Sequence, residues 1–450
     1  MRLPEMIQNI LSRLQEEGFS AFAVGGCVRD TLLGKEPKDW DLCTSATPVE
    51  MKQVFSDEHV VETGLKHGTL TLVINHIPYE ITTYRTEGSY TDHRHPDCVF
   101  FVDRVEDDLA RRDFTINAMA CGKDGIVLDP FDGKNDLNHR LIRCVGEPEK
   151  RFEEDALRIL RALRFASVLD FSIHPDTDQA IRTMYPTMGQ VAGERVRAEL
   201  LKLLCGAGSG RILREYTDVI TFLVPCLKPE VGFDQNNPHH RYTVWEHTIR
   251  AVENIPPDPD LRMTMLLHDC GKPFTRTTDI RGIGHYKGHQ DYSAKLAEEA
   301  LDLLRFDRVS RERIIKLVKA HDVILSTEKR ILLKRLHQYG ERDIRALFLI
   351  HCADRIATGT RNPEHAKEHC QELNDALDAL LAEDPCFTLK DLKVNGQDMM
   401  LLGFRNREIG DELNWLLEMV MDGRIENTRE ELIKAAEEHA EQTAERKMRK

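Results

Sequence analysis

Two aspartates, Asp39 and Asp41, stand one residue apart in the sequence DWDL, shortly after the pair Gly25-Gly26. On a strand, alternate side chains project from one face, which would set the two carboxylates side by side. Carboxylates so placed repel each other unless a hard cation lies between them, and Mg²⁺ is commonly held by one or two carboxylates and substrate phosphates. Asp-x-Asp also arises by chance in acidic chains. Behind a glycine turn, the pair favours a metal-dependent nucleotidyl-transfer site.

The neighbouring residues predict the elements that position this pair. The apolar run from Phe22 to Val24 is typical of a buried strand, and the glycines after it allow a turn that approaches a ligand closely. Arg29 then opens a short helix that ends near Gly34. A second short strand is predicted at residues 40–42, with both aspartates on one of its faces.

A hairpin is predicted at residues 69–85, where apolar and polar residues alternate around a turn at residues 76–78. Its second strand carries Glu80, which is either a third carboxylate near the aspartates or an exposed strand glutamate. The polar segment from Thr86 to Asp97 is rich in turn-forming residues and is expected to be mobile.

Arg111 and Arg112 precede Asp113 in the sequence ARRDFTINAMA. The rigid donor fork of arginine suits triphosphate oxygens, and a carboxylate can accept a hydrogen bond from a ribose hydroxyl. A capped helix start with a surface charge pair is the alternative interpretation. The sequence DPFDGKNDL at residues 129–137 then predicts a turn that closes the first domain.

Residues 153–166 have the periodicity of one amphipathic helix. Its apolar face is formed by Ala156, Ile159, Leu160 and Leu163. The opposite arc contains Glu154, Arg158 and Arg161, with Asp155 beside them and Arg164 at the border. Such an arc is most often a solvated ladder of ion pairs. The alternative is that it reads a nucleobase edge, because a carboxylate can accept from an exocyclic amine and arginine can donate to ring acceptors.

The chain has 450 residues, which is enough for roughly two to four domains. Its N-terminal sequence is charged throughout, and no apolar run approaches the ~20 residues that span a membrane, so neither a signal peptide nor a membrane segment is predicted. The 11 cysteines include no Cys-x-x-Cys and are expected to be reduced cytosolic thiols.

The formal charge of −14 weighs against a polyanion-binding protein, because lysine and arginine contacts to phosphates dominate nucleic-acid affinity. Basic clusters such as Arg111-Arg112 and the terminal residues 446–450 can still form a local basic path. Composition alone therefore leaves the partner undecided.

Six short motifs occur in this order up to Leu204: VGGCVRDTLLG, DWDL, RRDFTINAMA, DPFDGKNDL, EEDALRILRALRFA and GERVRAELLKLL. The set resembles the motifs of the class II tRNA nucleotidyltransferases, which comprise the CCA-adding enzymes and their poly(A) polymerase relatives. The resemblance implies a polymerase-β-type catalytic head, a mixed sheet with helices, in which Asp39 and Asp41 hold Mg²⁺.

The resemblance also implies a nucleotide site in the head. Gly26, Arg29 and Arg112 would contact the incoming nucleotide, and Asp113 would lie near its ribose. The segment from Thr86 to Asp97 resembles the flexible loop of full CCA-adding enzymes, which favours complete CCA addition, although A-adding enzymes can keep similar loops.

Base selection would fall to the charged arc of residues 153–166. By the resemblance, Asp155 and Arg158 read the Watson-Crick edge of CTP or ATP in place of a template. The supporting residues would be Glu154, Arg161 and Arg164. The helix at residues 193–204 would brace this reader, with Glu194 and Arg197 as an ion pair.

A second set of residues begins in the sequence PHHRYTVWEHTIRAV and resembles the ligand set of the HD phosphohydrolases. The ligands would be His247, His268, Asp269 and Asp354 for one divalent ion, and His289 and His321 for a second. Imidazole and carboxylate together suit a transition metal such as Mn²⁺, Ni²⁺ or Co²⁺, with bound water as the nucleophile. The domain would be either an active phosphohydrolase for 2′,3′-cyclic or terminal phosphates or a structural relic.

The sequence from Glu364 onward is helical in pattern and resembles the C-terminal tRNA-contacting domain of the same family. Where the usual loop has Lys-Pro-Gly, this chain has Phe404-Arg405-Asn406-Arg407, which leaves the detail of its tRNA contact open.

Together these patterns predict an α+β protein with a head at residues 1–145 followed by all-α neck, HD and tail domains at residues 146–232, 233–362 and 363–450. The predicted function is template-independent addition and repair of the CCA end of tRNA from CTP and ATP in the cytoplasm, with added HD phosphohydrolase activity. The alternatives are a poly(A) polymerase or A-adding relative, or an HD phosphohydrolase with an RNA-binding head. The sequence does not predict the oligomeric state.

Overall fold

The computed structural model describes residues 1–62, 64, 68–87, 99–237, 241–359 and 362–448. The chain divides into two compact units, Met1–Lys228 with Ala300–Asp307 and Pro229–Glu299 with Arg308–Lys450. The predicted head and nearly all of the predicted neck fall in the first unit. The predicted HD region, apart from residues 300–307, and the predicted tail fall in the second. The finer division into four domains stays a prediction.

The strands of the first unit are short. They are β1 (Ala21–Val24), β2 (Asp41–Thr44), β3 (His59–Val61), β4 (Thr69–Ile74), β5 (Ile77–Thr83), β6 (Arg85–Glu87), β7 (Val99–Phe101), β8 (Ala120–Cys121), β9 (Val127–Leu128), β10 (Leu141–Ile142) and β11 (Ser172–Ile173). Seven of them form one sheet in the order β3-β4-β5-β2-β1-β8-β9, in which β2 and β5 are parallel and the other neighbours antiparallel. The predicted mixed sheet is confirmed.

The helices of the first unit bury apolar side chains at helical spacing, as in the first of them, which buries Ile7, Ile10, Leu11 and Leu14. They are α1 (Glu5–Glu16), α2 (Gly26–Leu32), α3 (Pro48–Val54), α4 (Val105–Ala110), α5 (Gly133–Asn138), α6 (Pro148–Glu154), α7 (Leu157–Leu169), α8 (Pro175–Met184), α9 (Gly193–Leu204), α10 (Ser209–Glu215) and α11 (Thr217–Leu223). Short 3₁₀ helices lie at Thr115–Asn117, Tyr185–Gln190 and Pro225–Glu230.

The strand–turn–helix around the glycine pair is confirmed, but the second strand is not as predicted. Strand β2 begins at Asp41, and Asp39 lies in a bend before it, so the two aspartates do not share a strand face. Strand β2 begins no earlier because its partner β1 is short. The ladder pairs Ala23 with Leu42, and β1 ends one residue later, at Val24, where the glycine turn begins.

The predicted hairpin is formed by β4 and β5, with its turn at Asn75 and His76. These residues have φ of 51° and 65°, as a two-residue hairpin turn with the twist of its strands requires. Pro78, placed in the turn by the sequence, already belongs to β5 and pairs with Val73.

The predicted single helix at residues 153–166 is wrong. Asp155, with φ of −146° and ψ of 104°, separates α6 from α7. Its Oδ1 accepts a hydrogen bond from the backbone N–H of Leu157 at 3.0 Å, a local bond that competes with continuation of the helix. The predicted apolar face is nevertheless buried in full: Ala156, Ile159, Leu160 and Leu163.

The second unit is helical apart from one short ladder of β12 (Thr277–Thr278) and β13 (Gly284–His285), which confirms the predicted helical remainder. Its helices are α12 (Val244–Asn254), α13 (Pro259–Leu267), α14 (Lys272–Thr275), α15 (His289–Leu303), α16 (Arg308–Ala320), α17 (Lys329–Tyr339), α18 (Glu341–Ala357), α19 (Pro363–Ala382), α20 (Gly396–Leu401), α21 (Arg407–Met421) and α22 (Arg429–Met448). Leu336, Phe348, Leu377 and Leu417 join four of them in one core. None of the helices in the described part of the chain has the length and apolar character that crossing a membrane requires.

Candidate functional site

A glycine turn joins β1 to α2 in the first unit. Gly25 has a φ of +82°, and a Cβ at this position would lie 2.8 Å from Nη1 of Arg112. Glycine is therefore needed here both for the backbone conformation and for the close approach of the Arg112 guanidinium. Gly26, the predicted nucleotide contact, begins α2 next to Arg29.

Three carboxylates come together at the start of β2. The parallel register sets Asp41 opposite Glu80 of β5, and Asp39 lies just before the strand. Desolvation raises the pKa of the Asp41 carboxyl, and the negative charge of Asp39 raises it further. Glu80 adds to this rise, whereas Arg112 opposes it. Oxygen ligands that repel one another in this way fit a hard divalent cation, which would remove the repulsion.

The arginines predicted to bind a nucleotide are held by carboxylate and amide acceptors. Arg29 is itself buried and donates from Nη1 to Oδ1 of Asn117 at 2.6 Å and from Nε to Oδ1 of Asp30 at 2.8 Å. Nη2 of Arg112 lies 3.3 Å from Oδ2 of Asp108, and within the described residues its buried Nε–H has no acceptor. An orphaned guanidinium donor fits an anionic ligand such as a triphosphate.

Asp113 is held on both carboxylate oxygens. Oδ1 accepts from the backbone N–H of Phe114 at 2.8 Å and from Nδ2 of Asn117 at 3.1 Å, and Oδ2 accepts from Nε and Nη2 of Arg161 at 2.9 and 2.6 Å. Burial alone would raise the pKa of Asp113, but the Arg161 charge and these hydrogen bonds lower it to about 2. Asp113 is thus ionised at neutral pH and ties its segment to α7; its predicted ribose contact stays a prediction.

Arg158, one of the two predicted base readers, is fixed by acceptors on three sides. It forms an ion pair with Glu154, which also pairs with Arg151. It donates from Nη1 to the carbonyl of Arg151 and from Nη2 to that of Arg111, both at 3.1 Å. With 9% of its surface exposed, Arg158 belongs to a half-buried network and not to a solvated ladder.

Asp155, the other predicted reader, projects from the break between α6 and α7. Arg195 of α9 donates a hydrogen bond to each oxygen of its carboxylate, from Nη2 to Oδ2 at 2.7 Å and from Nη1 to Oδ1 at 3.3 Å. Each carboxylate oxygen has two lone pairs, so the one at Oδ2 that Arg195 does not use can accept from an exocyclic amine.

Arg161 and Arg164, the predicted supporting residues, share one buried carboxylate on α9. Nε of Arg164 lies 2.7 Å from Oε2 of Glu199, and Nη1 of Arg161 lies 3.8 Å from Oε1. Glu199 is 6% exposed, so the two cations compensate a charge that would otherwise be costly to bury.

The predicted bracing helix is present as α9, but its contacts differ from those predicted. Arg197 donates to the backbone carbonyl of Arg305 and does not pair with Glu194 among the described contacts. The bracing contacts come from Arg195 and Glu199, which the sequence interpretation missed. A signal was present for Glu199, because it falls on the helix face that buries apolar residues, where a charge needs a partner.

Strands β6 and β7 pair antiparallel, with Arg85 opposite Phe101 and Thr86 opposite Phe100. Thr86, the start of the segment predicted to be mobile, therefore lies in a strand. Glu87 ends the same strand, and the rest of the segment, residues 88–97, lies outside the described residues.

In the second unit, the four predicted HD ligands place their ligand atoms within 4.8 Å of one another. Nε2 of His247 lies 2.9 Å from Oδ1 of Asp354, 3.2 Å from Oδ2 of Asp269 and 3.2 Å from Nε2 of His268. Two ligands at right angles and ~2.1 Å from a shared ion lie about 3 Å apart, so these separations match a coordination shell.

A second group shares Asp269 with the first. Nε2 of His289 lies 3.1 Å from Nε2 of His321 and 3.4 Å from Oδ1 of Asp269. Asp269 therefore directs Oδ2 toward the first group and Oδ1 toward the second, so one carboxylate would serve both groups if each held a metal ion.

The backbone fixes the orientation of three of these imidazoles. Nδ1 of His268, His289 and His321 lies 2.7, 2.8 and 2.7 Å from the carbonyl oxygen of the residue three positions earlier in the chain. Because Nδ1–H donates there, Nε2 carries the lone pair in the neutral ring and can ligate a metal.

Lys272, also missed by the sequence interpretation, borders the cluster. Its buried Nζ lies 2.6 Å from Oδ2 of Asp269 and donates to Oε1 of Gln235 at 3.2 Å. Beside it, a cavity of about 370 Å³ is lined by Asp269, Lys272, Lys287, His289, His321 and Asp322, among others. Two ammonium groups at a metal-ligand cluster suit an anionic substrate such as a phosphoester.

Residues 404–407, which stand where the family's usual loop has Lys-Pro-Gly, lead from α20 into α21. Arg405 and Arg407 are exposed there, and Asn406 has a φ of +49°. Two guanidinium groups are thus available to phosphates, and the predicted tRNA contact stays a prediction.

Family models match three parts of the chain: a Poly A polymerase head domain at residues 21–143, an RNA- and SrmB-binding site of polymerase A at residues 170–229, and a tRNA nucleotidyltransferase domain 2 at residues 290–436. The CCA-adding enzyme of Levilactobacillus brevis is 49% identical over 217 residues, 48% of this chain and 53% of the relative. Together the matches support a class II tRNA nucleotidyltransferase. A nucleotidyltransferase head implies a divalent metal ion.

The chain spans about half the length of the curated relatives it matches; for the CCA-adding enzyme of Leuconostoc citreum, 44% identical over 253 residues, the match covers 54% of this chain and 62% of the relative. A crystal structure of the Bacillus stearothermophilus CCA-adding enzyme in complex with CTP matches with a TM-score of 0.74 at 28% identity, over 99% of this chain and 100% of the other. The Thermotoga maritima CCA-adding enzyme complexed with tRNA_CCA shares the fold, with a TM-score of 0.55 at 21% identity, over 97% and 96%.

Proposed function

We propose that this protein adds and repairs the 3′-terminal CCA of tRNA, using CTP and ATP without a nucleic-acid template. The observation that carries the proposal is the strand register that sets Asp41 opposite Glu80, next to Asp39 and the arginine-lined glycine turn. Similarity to a CCA-adding enzyme in complex with CTP supports it.

In this proposal Asp39 and Asp41, with Glu80 as a third ligand, would hold Mg²⁺. When bound, the ion would favour ionisation of the tRNA 3′-hydroxyl and offset charge at the α-phosphate and the leaving pyrophosphate. Arg29 and Arg112 bind the triphosphate, and the missing side chain of Gly25 leaves room for the Arg112 guanidinium. The attacking oxygen bonds to the α-phosphorus as the bond to pyrophosphate breaks.

Base choice in this proposal belongs to Asp155 and Arg158. Asp155 accepts from the exocyclic amine that cytosine and adenine share, and Arg158 donates to a ring acceptor. Glu154 orients Arg158, Arg195 orients Asp155, and the network of Arg161, Arg164 and Glu199 holds α7 against α9.

The test uses a tRNA transcript that lacks CCA, incubated with CTP alone, ATP alone and both, with products sized on a denaturing gel. We expect CTP alone to add two nucleotides and the mixture to add three. Long A tails would instead identify a poly(A) polymerase, and single additions that need a CC end would identify an A-adding relative.

The remaining assignments accompany this proposal. The predicted tail, residues 363–450, would contact the tRNA, the loop at residues 86–97 would permit the final addition of A, and the protein would act in the cytoplasm. Removal of the exposed charges by Arg405→Ala with Arg407→Ala would raise the KM for tRNA and leave the KM for CTP unchanged; the opposite pattern would refute the tail assignment.

A second function, phosphohydrolysis, is favoured by the two groups of HD ligands that share Asp269. The first group would hold one transition metal ion and His289 with His321 would help to hold a second, and the metal would supply a water nucleophile near neutral pH. Lys272 and Lys287 would bind the anionic substrate, which we propose to be a 2′,3′-cyclic or terminal phosphate.

The hydrolytic function is tested with Mn²⁺, Ni²⁺ or Co²⁺ and a 2′,3′-cyclic nucleotide. We expect metal-dependent ring opening that Asp269→Ala abolishes while CCA addition persists. Hydrolysis that depends on Asp269, in a protein that adds no CCA even as wild type, would instead support an HD phosphohydrolase with an RNA-binding head; absence of hydrolysis in the wild type would leave the cluster a relic.

A further inference from the structure

Two cysteines of the second unit lie on neighbouring helices. Cys352 lies on α18 and Cys370 on α19, and these helices pack together. Both side chains line the same cavity, of about 260 Å³. Asn374 holds Cys370 in place, because its Nδ2 donates to the Cys370 carbonyl at 2.9 Å and approaches Sγ at 3.8 Å.

The surroundings of this pair allow small solutes to reach it. Both thiols are half-buried, whereas Cys27 and Cys43 of the first unit are buried. The cavity also has polar lining residues, Asp322, His351, Arg355 and His369 among them. Access and a neighbouring second thiol are the features that separate a cysteine pair open to reversible oxidation from inert core cysteines.

We propose that Cys352 and Cys370 form a reversible modification site, at which a peroxide converts the two thiols into an intrachain disulfide. One sulfur attacks a peroxide oxygen, the O–O bond breaks, and the departing hydroxide takes the thiol proton as water. The second sulfur then attacks the sulfenic acid and expels a second water. The two thiols lose two electrons and two protons in total, and a small thiol reverses the reaction by exchange.

The bond would tie α18 to α19 close to the HD cluster. Cys352 lies two residues before Asp354 on α18, so the helix that supplies this ligand would be cross-linked to its neighbour. The carboxylates proposed for nucleotidyl transfer lie in the other unit, and oxidation of the pair is expected to leave nucleotide incorporation unchanged.

The test treats the full reduced protein with hydrogen peroxide, blocks the remaining thiols with N-ethylmaleimide in denaturant, and digests without reduction. Trypsin followed by a glutamate-specific protease separates Cys370 from Cys386, because Glu372 and Glu383 lie between them. We expect one disulfide-linked peptide pair that contains Cys352 and Cys370, and its loss after dithiothreitol.

Cys386→Ser is the matched control, because this half-buried cysteine lies in the same unit and should leave the linked pair unchanged. Cys370→Ser should abolish the linked pair and leave Cys352 as a sulfenic acid that dimedone traps. Full N-ethylmaleimide labelling of both cysteines in the oxidised wild type would overturn the proposal, as would a linked pair that joins either of them to Cys386 instead.

Discussion

The two candidate metal-ligand clusters of this protein differ in chemistry and in depth. The first, Asp39, Asp41 and Glu80, offers only carboxylate oxygens at the exposed end of a strand. The second combines imidazoles with carboxylates, and apart from Asp354 its members are buried. Oxygen ligands suit Mg²⁺ that arrives with a nucleotide, whereas buried imidazoles suit a transition metal that stays bound.

The clusters also differ in what positions them. In the first unit, the register of β2 and β5 places Asp41 opposite Glu80, so backbone hydrogen bonds between the strands position these carboxylates. In the second unit, backbone carbonyls hold the Nδ1 atoms of His268, His289 and His321. A cluster positioned by strand register tolerates changes in the side chains around it. A cluster whose imidazoles are each oriented by one hydrogen bond depends on every one of those bonds.

The largest expected effect separates the clusters by activity. Asp41→Asn should lower nucleotide incorporation on the order of 10³-fold, because it removes charge stabilisation of several kcal/mol at the reacting phosphate. Asp269→Asn should leave incorporation unchanged and abolish phosphohydrolysis. Single-turnover incorporation of radiolabelled CTP measures the first effect, with exposed Asp107→Asn as control. Equal losses in both variants would show that the clusters do not act independently.

The second prediction concerns how long each cluster keeps its metal. After incubation with Mg²⁺ and Mn²⁺, a short chelator treatment and gel filtration, we expect metal analysis to find Mn²⁺ but no Mg²⁺. Burial and imidazole ligands slow the release of Mn²⁺, whereas exposed carboxylates exchange rapidly. His268→Ala should reduce the retained Mn²⁺ and Asp41→Asn should not. Retention that depends on Asp41 would contradict the comparison.

A smaller effect is expected from the residue that orients Asp155. Arg195→Met should lower kcat/KM for CTP and ATP by roughly 10-fold, the size of a lost hydrogen bond to a charged group. Arg197→Met on the same helix is the matched control, because Arg197 contacts a backbone carbonyl away from Asp155. If Arg195 only stabilised the fold, its loss would lower the melting temperature and leave nucleotide selectivity unchanged; we expect selectivity to fall.

The last expected effect is on stability and not on activity, and it concerns Glu230, a fully buried carboxyl of the second unit. Burial raises its pKa to about 8, although a hydrogen bond from Thr248 opposes the rise. Between the ordinary pKa of a glutamate and pH 8, the folded protein therefore retains a proton that the unfolded chain has released. The free energy of unfolding then falls as pH rises through this range, by up to about 1.4 kcal/mol per pH unit.

Glu230→Gln should remove this slope and raise the melting temperature at pH 8 more than at pH 5. Thermal unfolding at several pH values measures the difference between the two proteins. A parallel shift at every pH would show that Glu230 does not titrate in this way.

The sequence predicted much of the fold because its signals were local. The alternation before Thr83 indicated the hairpin, and the spacing of Ile159 and Leu163 indicated a buried helix face. The break at Asp155 escaped prediction because Arg195, forty residues away, and the N–H of Leu157 fix its carboxylate, and helical periodicity continues across it.

The same distinction holds for the sites. Resemblance predicted the HD ligands, and the structure brings the predicted residues together. It did not identify Glu199 or Asp108, whose partners are set by packing: Asp108 is 1% exposed on α4 and bonds to Arg111 and Arg112. A charge within an apolar helical stripe is the one local sign of such residues.

The hairpin that carries Glu80 determines where this chain can change length. An extra residue at the Asn75–His76 turn would enlarge a loop and leave Glu80 opposite Asp41. An extra residue between Glu80 and the pairs that follow it in β5 would turn the carboxylate to the other side of the sheet. Among relatives, insertions and deletions are therefore expected at the turn and excluded from β5.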